Sequence, residues 1–373
     1  MSERTARAVA YEALRRVEEG AYANLVLPPL LERSGLPERD RHLVTELVYG
    51  TTRMHRACDF ALAPLLQRDV EPEVRTALRL GAYQLVFLGT PAHAAVSTTV
   101  DVAPARARGF VNAVLRRLSE ASRPRWPDEA TELSYPDWVV ERLVADLGKA
   151  DALAALRRMN IPASPHRRPD GYVQDPASQW VAELVDAGAG DVVVDLCAAP
   201  GGKATWMAPA AKFVVAGDAR VTRTGLIAEN ARRTKARNVG AVALDGRCPP
   251  LRPACAARVL VDAPCSGLGV LGRRPDARWR ALPAAIDELA TLQRGILAGA
   301  IGLVAPGGHL VYSVCTMTRA ETVDIDGWLA AMHPELEALP PPGAPWRPHG
   351  RGALVLPQAA GTDGMYVLRL QRS

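Results

Sequence analysis

Several things are missing from this 373-residue chain, and each absence narrows what it can be. No apolar run approaches the roughly 20 residues needed to cross a bilayer, so no membrane span is expected. The N-terminal stretch MSERTARAVAYEALRR is amphipathic and lacks the apolar core of a secretory signal, which leads us to expect a cytoplasmic protein. The six cysteines (Cys58, Cys197, Cys248, Cys255, Cys265 and Cys315) include no C-x-x-C pair and no Cys/His cluster at zinc spacing, so neither a metal site nor a disulfide framework is expected. The glycine turn after the first strand pattern does not have the G-x-G-x-x-G spacing, which argues against a pyrophosphate-bearing dinucleotide there. Lysine is scarce: only Lys149, Lys203, Lys212 and Lys235 occur, nearly all other cations being arginine. No internal repeat is visible.

What is present is ordinary globular composition, with 48% apolar and 23% charged residues. A net charge of +5 and a pI near 9.0 lean weakly towards an acidic partner such as nucleic acid. Residues 1–125 carry apolar residues at helical spacing throughout, interrupted by Gly-, Pro- and Asp-bearing connections, and predict an all-helical domain. Residues 126–173 form a linker that begins Pro-rich and contains a further helix. HRRPDGY, near its end, reads mainly as a solvated loop that keeps a few basic residues. From 174 to 373, β-branched strand patterns such as DVVVDLC, KFVVAGD and ARVLVDAP alternate with helices. That alternation implies a doubly wound α/β sheet with parallel neighbours joined by crossover helices.

Two constellations in this second half carry chemistry. The first is DLCAAPGGKA, residues 195–204, directly after the first strand. A glycine turn at the carboxyl end of a strand is where open α/β sheets bind ligands, although a bare Gly-Gly is as often a plain turn. The next strand ends in Asp218, placed to accept from ribose hydroxyls, and the third is followed by Asp245, placed to accept from an adenine amino group. Each Asp alone is as readily a loop cap. In register at strand ends, the two favour a nucleoside cofactor without pyrophosphate, such as S-adenosylmethionine.

The second constellation is Cys265 in VDAPCSGLGV and Cys315 in YSVCT, both after strand patterns and hence at the same sheet edge as the glycine loop. A lone buried cysteine is usually small apolar filler. Paired at a cofactor edge, the two suit methylation at C5 of a pyrimidine. That carbon is nucleophilic only after a thiolate adds to C6. An acid such as Asp262 must then engage N3, and a second cysteine can assist release.

On these residues the chain resembles the Sun/Fmu family of bacterial small-subunit ribosomal RNA cytosine-C5 methyltransferases. DLCAAPGGK resembles the family's cofactor motif, DAPCSGLGV with RRPDARW its Pro-Cys motif, and YSVCT its second cysteine motif. QDPASQ (174–179) and GTDGMYVLRL resemble segments that flank the catalytic domain. ELVYGTTR, LRLGAYQL and GFVNAVLRRL are similar to the family's NusB-like RNA-binding domain. The resemblance implies an all-α NusB-like domain followed by a Rossmann-like class I methyltransferase domain with a doubly wound mixed sheet. It further implies Cys315 as nucleophile, Cys265 as the cysteine that aids release, and Asp262 as the group that engages the base. Lys203 would lie near the methyl donor, and Pro264 would shape the turn that presents Cys265. Cys197, Ala198, Ala199, Pro200, Gly201, Gly202 and Lys203, with Asp218, Arg223, Asp245 and Asp262, would hold S-adenosylmethionine. The implied partner is RNA, and the chain is expected to act as a monomer.

One departure from the family is large. A small RNA-binding module normally precedes the QD-x-A-S segment, but only Ile161 to Val173 separate Asn160 from Gln174 here. Two smaller ones are Gly272, where the family often has Arg, and Thr322, where it usually has Asn. Because RNA docking uses a wide surface, the missing module leaves open the same fold and cofactor acting on a small molecule or peptide in a biosynthetic pathway. A non-catalytic RNA-binding protein is the third reading, and the intact motifs argue against it.

Overall fold

The computed structural model describes residues 5–373. The chain divides into two compact units: one runs to Val140 and includes Arg274–Arg280, the other comprises Glu141–Arg273 and Ala281–Ser373.

The first unit is helical, with its longest helices at Glu38–Arg53, Pro72–Val86, Ala6–Glu18 and Arg108–Glu120. Apolar residues at helical spacing form one buried core that includes Val44, Leu47, Leu78, Leu80 and Leu115. The three motifs noted in the sequence meet in it through close approaches. A Cβ on Gly50 would lie 2.1 Å from the Tyr83 ring, and one on Gly81 would lie 2.4 Å from Leu115. The segment Arg274–Arg280 is built into this unit by Arg278, which is fully buried with its guanidinium 3.8 Å above the Tyr135 ring. Arg278 donates to the carbonyls of Arg53 and Ser134 and to the Tyr135 hydroxyl, and the Trp279 indole N–H donates to the Thr52 carbonyl. Burial pulls the Arg278 pKa down to about 10, a cost offset by these contacts.

The second unit is built on one nine-stranded sheet: β1 (Val192–Asp195), β2 (Phe213–Asp218), β3 (Val239–Ala243), β4 (Ala256–Asp262), β5 (Val304–Val314), β6 (Leu336–Ala338), β7 (Arg347–His349), β8 (Gly352–Val355) and β9 (Met365–Arg372). The order is β3-β2-β1-β4-β5-β9-β8-β7, with β6 also pairing β9. β1 to β5 are mutually parallel, and β9 runs antiparallel to β5, so the sheet is mixed. Val-rich strands with buried side chains, such as VVVD and AARVLVD, fit an interior covered on both faces. The strand order reverses between β1 and β4, which puts the ligand-binding crevice outside the carboxyl ends of those two strands. Between Ile161 and Val173 the only pairing is one antiparallel bridge, Arg167 to Val173. Among the described residues no helix is long and apolar enough to cross a membrane.

Candidate active site

At the carboxyl end of β1 the chain enters the turn Leu196–Gly201, then the short helix Gly202–Met207. The turn is closed by Gly201 N–H donating to the Ala198 carbonyl (2.6 Å), and docked on β2 by Ala198 N–H donating to the Gly217 carbonyl (2.7 Å). Asp218 ends β2 almost fully buried. One of its oxygens accepts from the Arg220 N–H, and the other lies 3.4 Å from the Arg223 guanidinium. Arg223 also donates to the Ala199 carbonyl (2.9 Å), so it ties the turn to the second strand. Asp245 lies farther out, its half-exposed carboxylate gripped by Arg247 at 2.6 Å, which draws its pKa down to about 2. Cys197 lies in the turn, and burial followed by the charge of Asp195 pushes its thiol well up, so it is no thiolate.

The crevice itself holds Asp195, Lys203 and Asp262. Lys203 Nζ donates to Asp262 Oδ2 at 2.6 Å, and Ser313 Oγ donates to Oδ1 at 2.6 Å. Burial alone would lower the Lys203 pKa, but the charge and hydrogen bond of Asp262 outweigh it and keep the ammonium protonated. Asp195 is fully buried. Burial first, then the charge of Asp262, lifts its pKa to about 8. Its Oδ1 accepts from the Cys197 N–H (3.3 Å), while Oδ2 has no hydrogen-bond partner among the described residues. A buried carboxyl oxygen without a partner, in a pocket where Asp195, Asp218 and Asp262 repel one another, suits a ligand that brings positive charge and N–H donors. S-adenosylmethionine brings both, in its sulfonium and α-ammonium groups.

Cys265 and Cys315 come together at the ends of β4 and β5, with their sulfurs 3.3 Å apart. The Cys265 thiol is pushed well up, first by its hydrogen bond to Cys315 and then by burial. Either sulfur can be the donor of that bond. The loop after Cys265 folds back under Cys315. Gly269 N–H donates to the Cys315 carbonyl (3.0 Å), and a Cβ at Gly269 would lie 2.1 Å from the Gly364 carbonyl oxygen. Only glycine allows that three-way contact.

Glu321, fully buried, holds the two cysteine loops in register. Its carboxylate accepts from the Ser266 N–H (2.8 Å), the Ser266 hydroxyl (2.6 Å), the Thr318 hydroxyl (2.8 Å) and the Gln293 amide (3.1 Å). Gln293, on the helix Ala285–Ile301, also donates to the Pro264 carbonyl and accepts from the buried Tyr312 hydroxyl. Two arginines brace the remaining motifs. Arg273 pairs with Asp175 and, at 3.1 Å, with Asp363, which joins the QDPASQ and GTDGM segments to the end of the Pro-Cys loop. Arg168 is buried over the Tyr172 and Trp206 rings and donates to the Gly202 carbonyl (2.8 Å). The HRRPDGY segment therefore differs from a solvated loop. Its second arginine is a buried brace for the cofactor turn, because a planar guanidinium can stack between aromatic faces while its edge donates.

The sheet order, the glycine turn at its switch point and the acidic strand ends define a Rossmann-like methyltransferase, and the paired cysteines set it apart within that class. A family model described as 16S rRNA methyltransferase RsmB/F matches residues 182–371, and the NusB family matches residues 4–120. The chain belongs to the RsmB/F family of methyltransferases, and its cofactor is S-adenosylmethionine. It is 37% identical to ribosomal RNA small subunit methyltransferase B of Thermus thermophilus, over 99% of this chain and 98% of that protein. It is 31% identical to the probable ribosomal RNA small subunit methyltransferase B of Bacillus subtilis over the full length of both. That alignment runs to 446 positions against 373 residues here, so the relative has stretches with no counterpart in this chain. The solved structure of PH0851 shares the fold, with a TM-score of 0.82 and 23% identity, covering 100% of this chain and 99% of that one.

Proposed function

We propose that this chain methylates C5 of a cytosine in small-subunit ribosomal RNA through a covalent bond between Cys315 and C6. The observation that carries this is the Cys265–Cys315 contact of 3.3 Å beside the Lys203–Asp262 pair. Cys315 Sγ, as thiolate, forms the bond to C6, and the C5–C6 electron pair moves towards N3 and C5. Asp262, with the Lys203 ammonium, engages the N3 side of the ring as charge builds there. The 197–203 turn, Asp218, Arg223 and Asp245 would hold S-adenosylmethionine, which would supply the methyl group for C5 and leave as S-adenosylhomocysteine. The C5 proton then passes to water, the C5–H electron pair re-forms the C5–C6 double bond, and the S–C6 bond breaks with its pair returning to Cys315. Cys265 stands where it can assist that elimination. The base must be unstacked to reach both sulfurs.

In this reading residues 1–125 are an RNA-binding domain, 126–173 a linker and 174–373 the catalytic domain. The relatives' names as ribosomal RNA methyltransferases support the substrate class. The bare segment Ile161–Val173 is the observation that favours a smaller substrate instead. Bisulfite mapping of RNA from cells with and without the gene separates the two. Loss of one ribosomal 5-methylcytosine supports the RNA reading, and an unchanged map favours the small-molecule one.

A further inference from the structure

One short stretch of this chain carries a large excess of positive charge. Between Arg220 and Arg237 lie six cations (Arg220, Arg223, Arg232, Arg233, Lys235 and Arg237) and one carboxylate, Glu229. That excess equals the net +5 of the whole chain, so the remaining residues are balanced overall. Residues 1–125, where RNA binding is expected from the resemblance, hold 18 cations and 14 carboxylates, spread over a stretch about seven times as long.

All six cations are exposed on or next to the helix Val221–Arg233 and the turn after it. Arg223 is paired with Asp218, but none of the other five has a carboxylate within ion-pair distance among the described residues. Among exposed arginines elsewhere, Arg106 pairs with Glu71 and Arg319 with Asp324. The track starts at Arg220, at the carboxyl end of β2 beside the cofactor turn, and follows a helix of 13 residues, roughly 20 Å. At its far end Lys212 and the 40%-exposed ring of Phe213 adjoin the cations, because Phe213 begins β2 and Val214 pairs with Val239. Arg233 stands over the Tyr172 ring, which in turn packs near Gly202.

Unpaired cations in a line, with an aromatic face at one end and a catalytic edge at the other, fit a polyanion whose phosphates are spaced along a backbone. We propose that this helix and its following turn are the phosphate-docking track for the RNA substrate, doing part of the work of the module absent between Ile161 and Val173. The assignment rests on the RNA reading given above. Neutralising the track removes affinity of a strongly salt-dependent kind, since each lost phosphate contact lowers the slope of log K against log salt by roughly 0.7 to 0.9.

The test compares the full-length protein with the Arg232→Ala/Lys235→Ala/Arg237→Ala variant for binding to a small-subunit ribosomal RNA transcript across a salt series. The expected result is a slope shallower by about 2 to 3 and affinity at least about tenfold lower at low salt. S-adenosylmethionine affinity within about twofold of wild type verifies the fold of the variant, and the matching Lys variant at 232 and 237 should retain the wild-type slope. An unchanged slope in the Ala variant with intact cofactor binding overturns the assignment. Wild-type protein that binds the cofactor but shows no salt-dependent RNA binding overturns the RNA reading itself, and the track with it.

Discussion

At the β4–β5 end of the catalytic edge, the buried polar groups find their partners within the protein, whereas at the β1–β2 end a buried carboxyl oxygen is left over. Glu321 fills its acceptor positions with donors from Ser266, Thr318 and Gln293, and the two cysteine sulfurs already touch. Asp195 Oδ2, by contrast, has no partner among the described residues, and three carboxylates crowd the crevice and the neighbouring strand end. The cysteine half is preorganised for chemistry, while the cofactor half is stabilised by what it binds. Preorganisation is most useful where a covalent bond must form in one geometry. A binding pocket tolerates mutual repulsion that its ligand relieves.

The largest expected effect comes from removing the proposed nucleophile. Cys315→Ala should lower turnover at least about a thousandfold while leaving S-adenosylmethionine affinity near wild type, measured by methyl transfer and calorimetry. Next is Glu321→Gln, which sets an amide against the Ser266 and Thr318 donors. Stability should fall by roughly 2 to 3 kcal/mol, and the alkylation rates of Cys265 and Cys315 should change together, because both loops lose their shared anchor. An unchanged alkylation profile would mean that Glu321 does not set the cysteine geometry. On the cofactor side, Asp218→Ala should raise the KM for S-adenosylmethionine about tenfold with a much smaller loss in kcat, the cost of one hydrogen bond to a charged group.

A further effect, on the pH dependence of stability, concerns Asp195. Its pKa in the folded protein, about 8, lies above the ordinary carboxylate value near 4, so the fold favours the protonated form. Its contribution to stability is therefore full below about pH 4 and is lost as pH rises through about 8. Melting temperature in the absence of cofactor should fall over that window. Asp195→Asn should flatten the fall, and a slope equal to wild type would show that Asp195 is ionised in the free protein.

The sequence made the strand ends readable, because DLC, VDAPC and YSVCT each place a reactive residue after a β-branched run whose buried character leaves little alternative. That is why Asp262, Lys203, Cys265 and Cys315 could be named before any geometry and are found at one edge. The groups that hold them were not readable. Glu321 reaches Ser266 across 55 residues, Gln293 reaches Glu321 across 28, and Arg273 reaches Asp175 across 98. No local period reports a hydrogen bond between elements so far apart, and a buried Glu in TRAET looks like any polar turn residue. Arg168 was similarly obscured by its setting of Pro, Asp and Gly. Arg278 and Trp279 read as part of the Pro-Cys motif, yet their side chains pack into the helical unit, a destination that only the fold reveals.

The central claim is that Cys315 makes the bond to the base and Cys265 helps undo it. Incubating Cys265→Ala protein with S-adenosylmethionine and small-subunit ribosomal RNA, followed by denaturing separation and peptide mass mapping, tests it directly. The account predicts an accumulated RNA–protein adduct whose modified peptide contains Cys315. A covalent complex that still forms with Cys315→Ala protein, or no accumulation with Cys265→Ala while turnover continues, would contradict it.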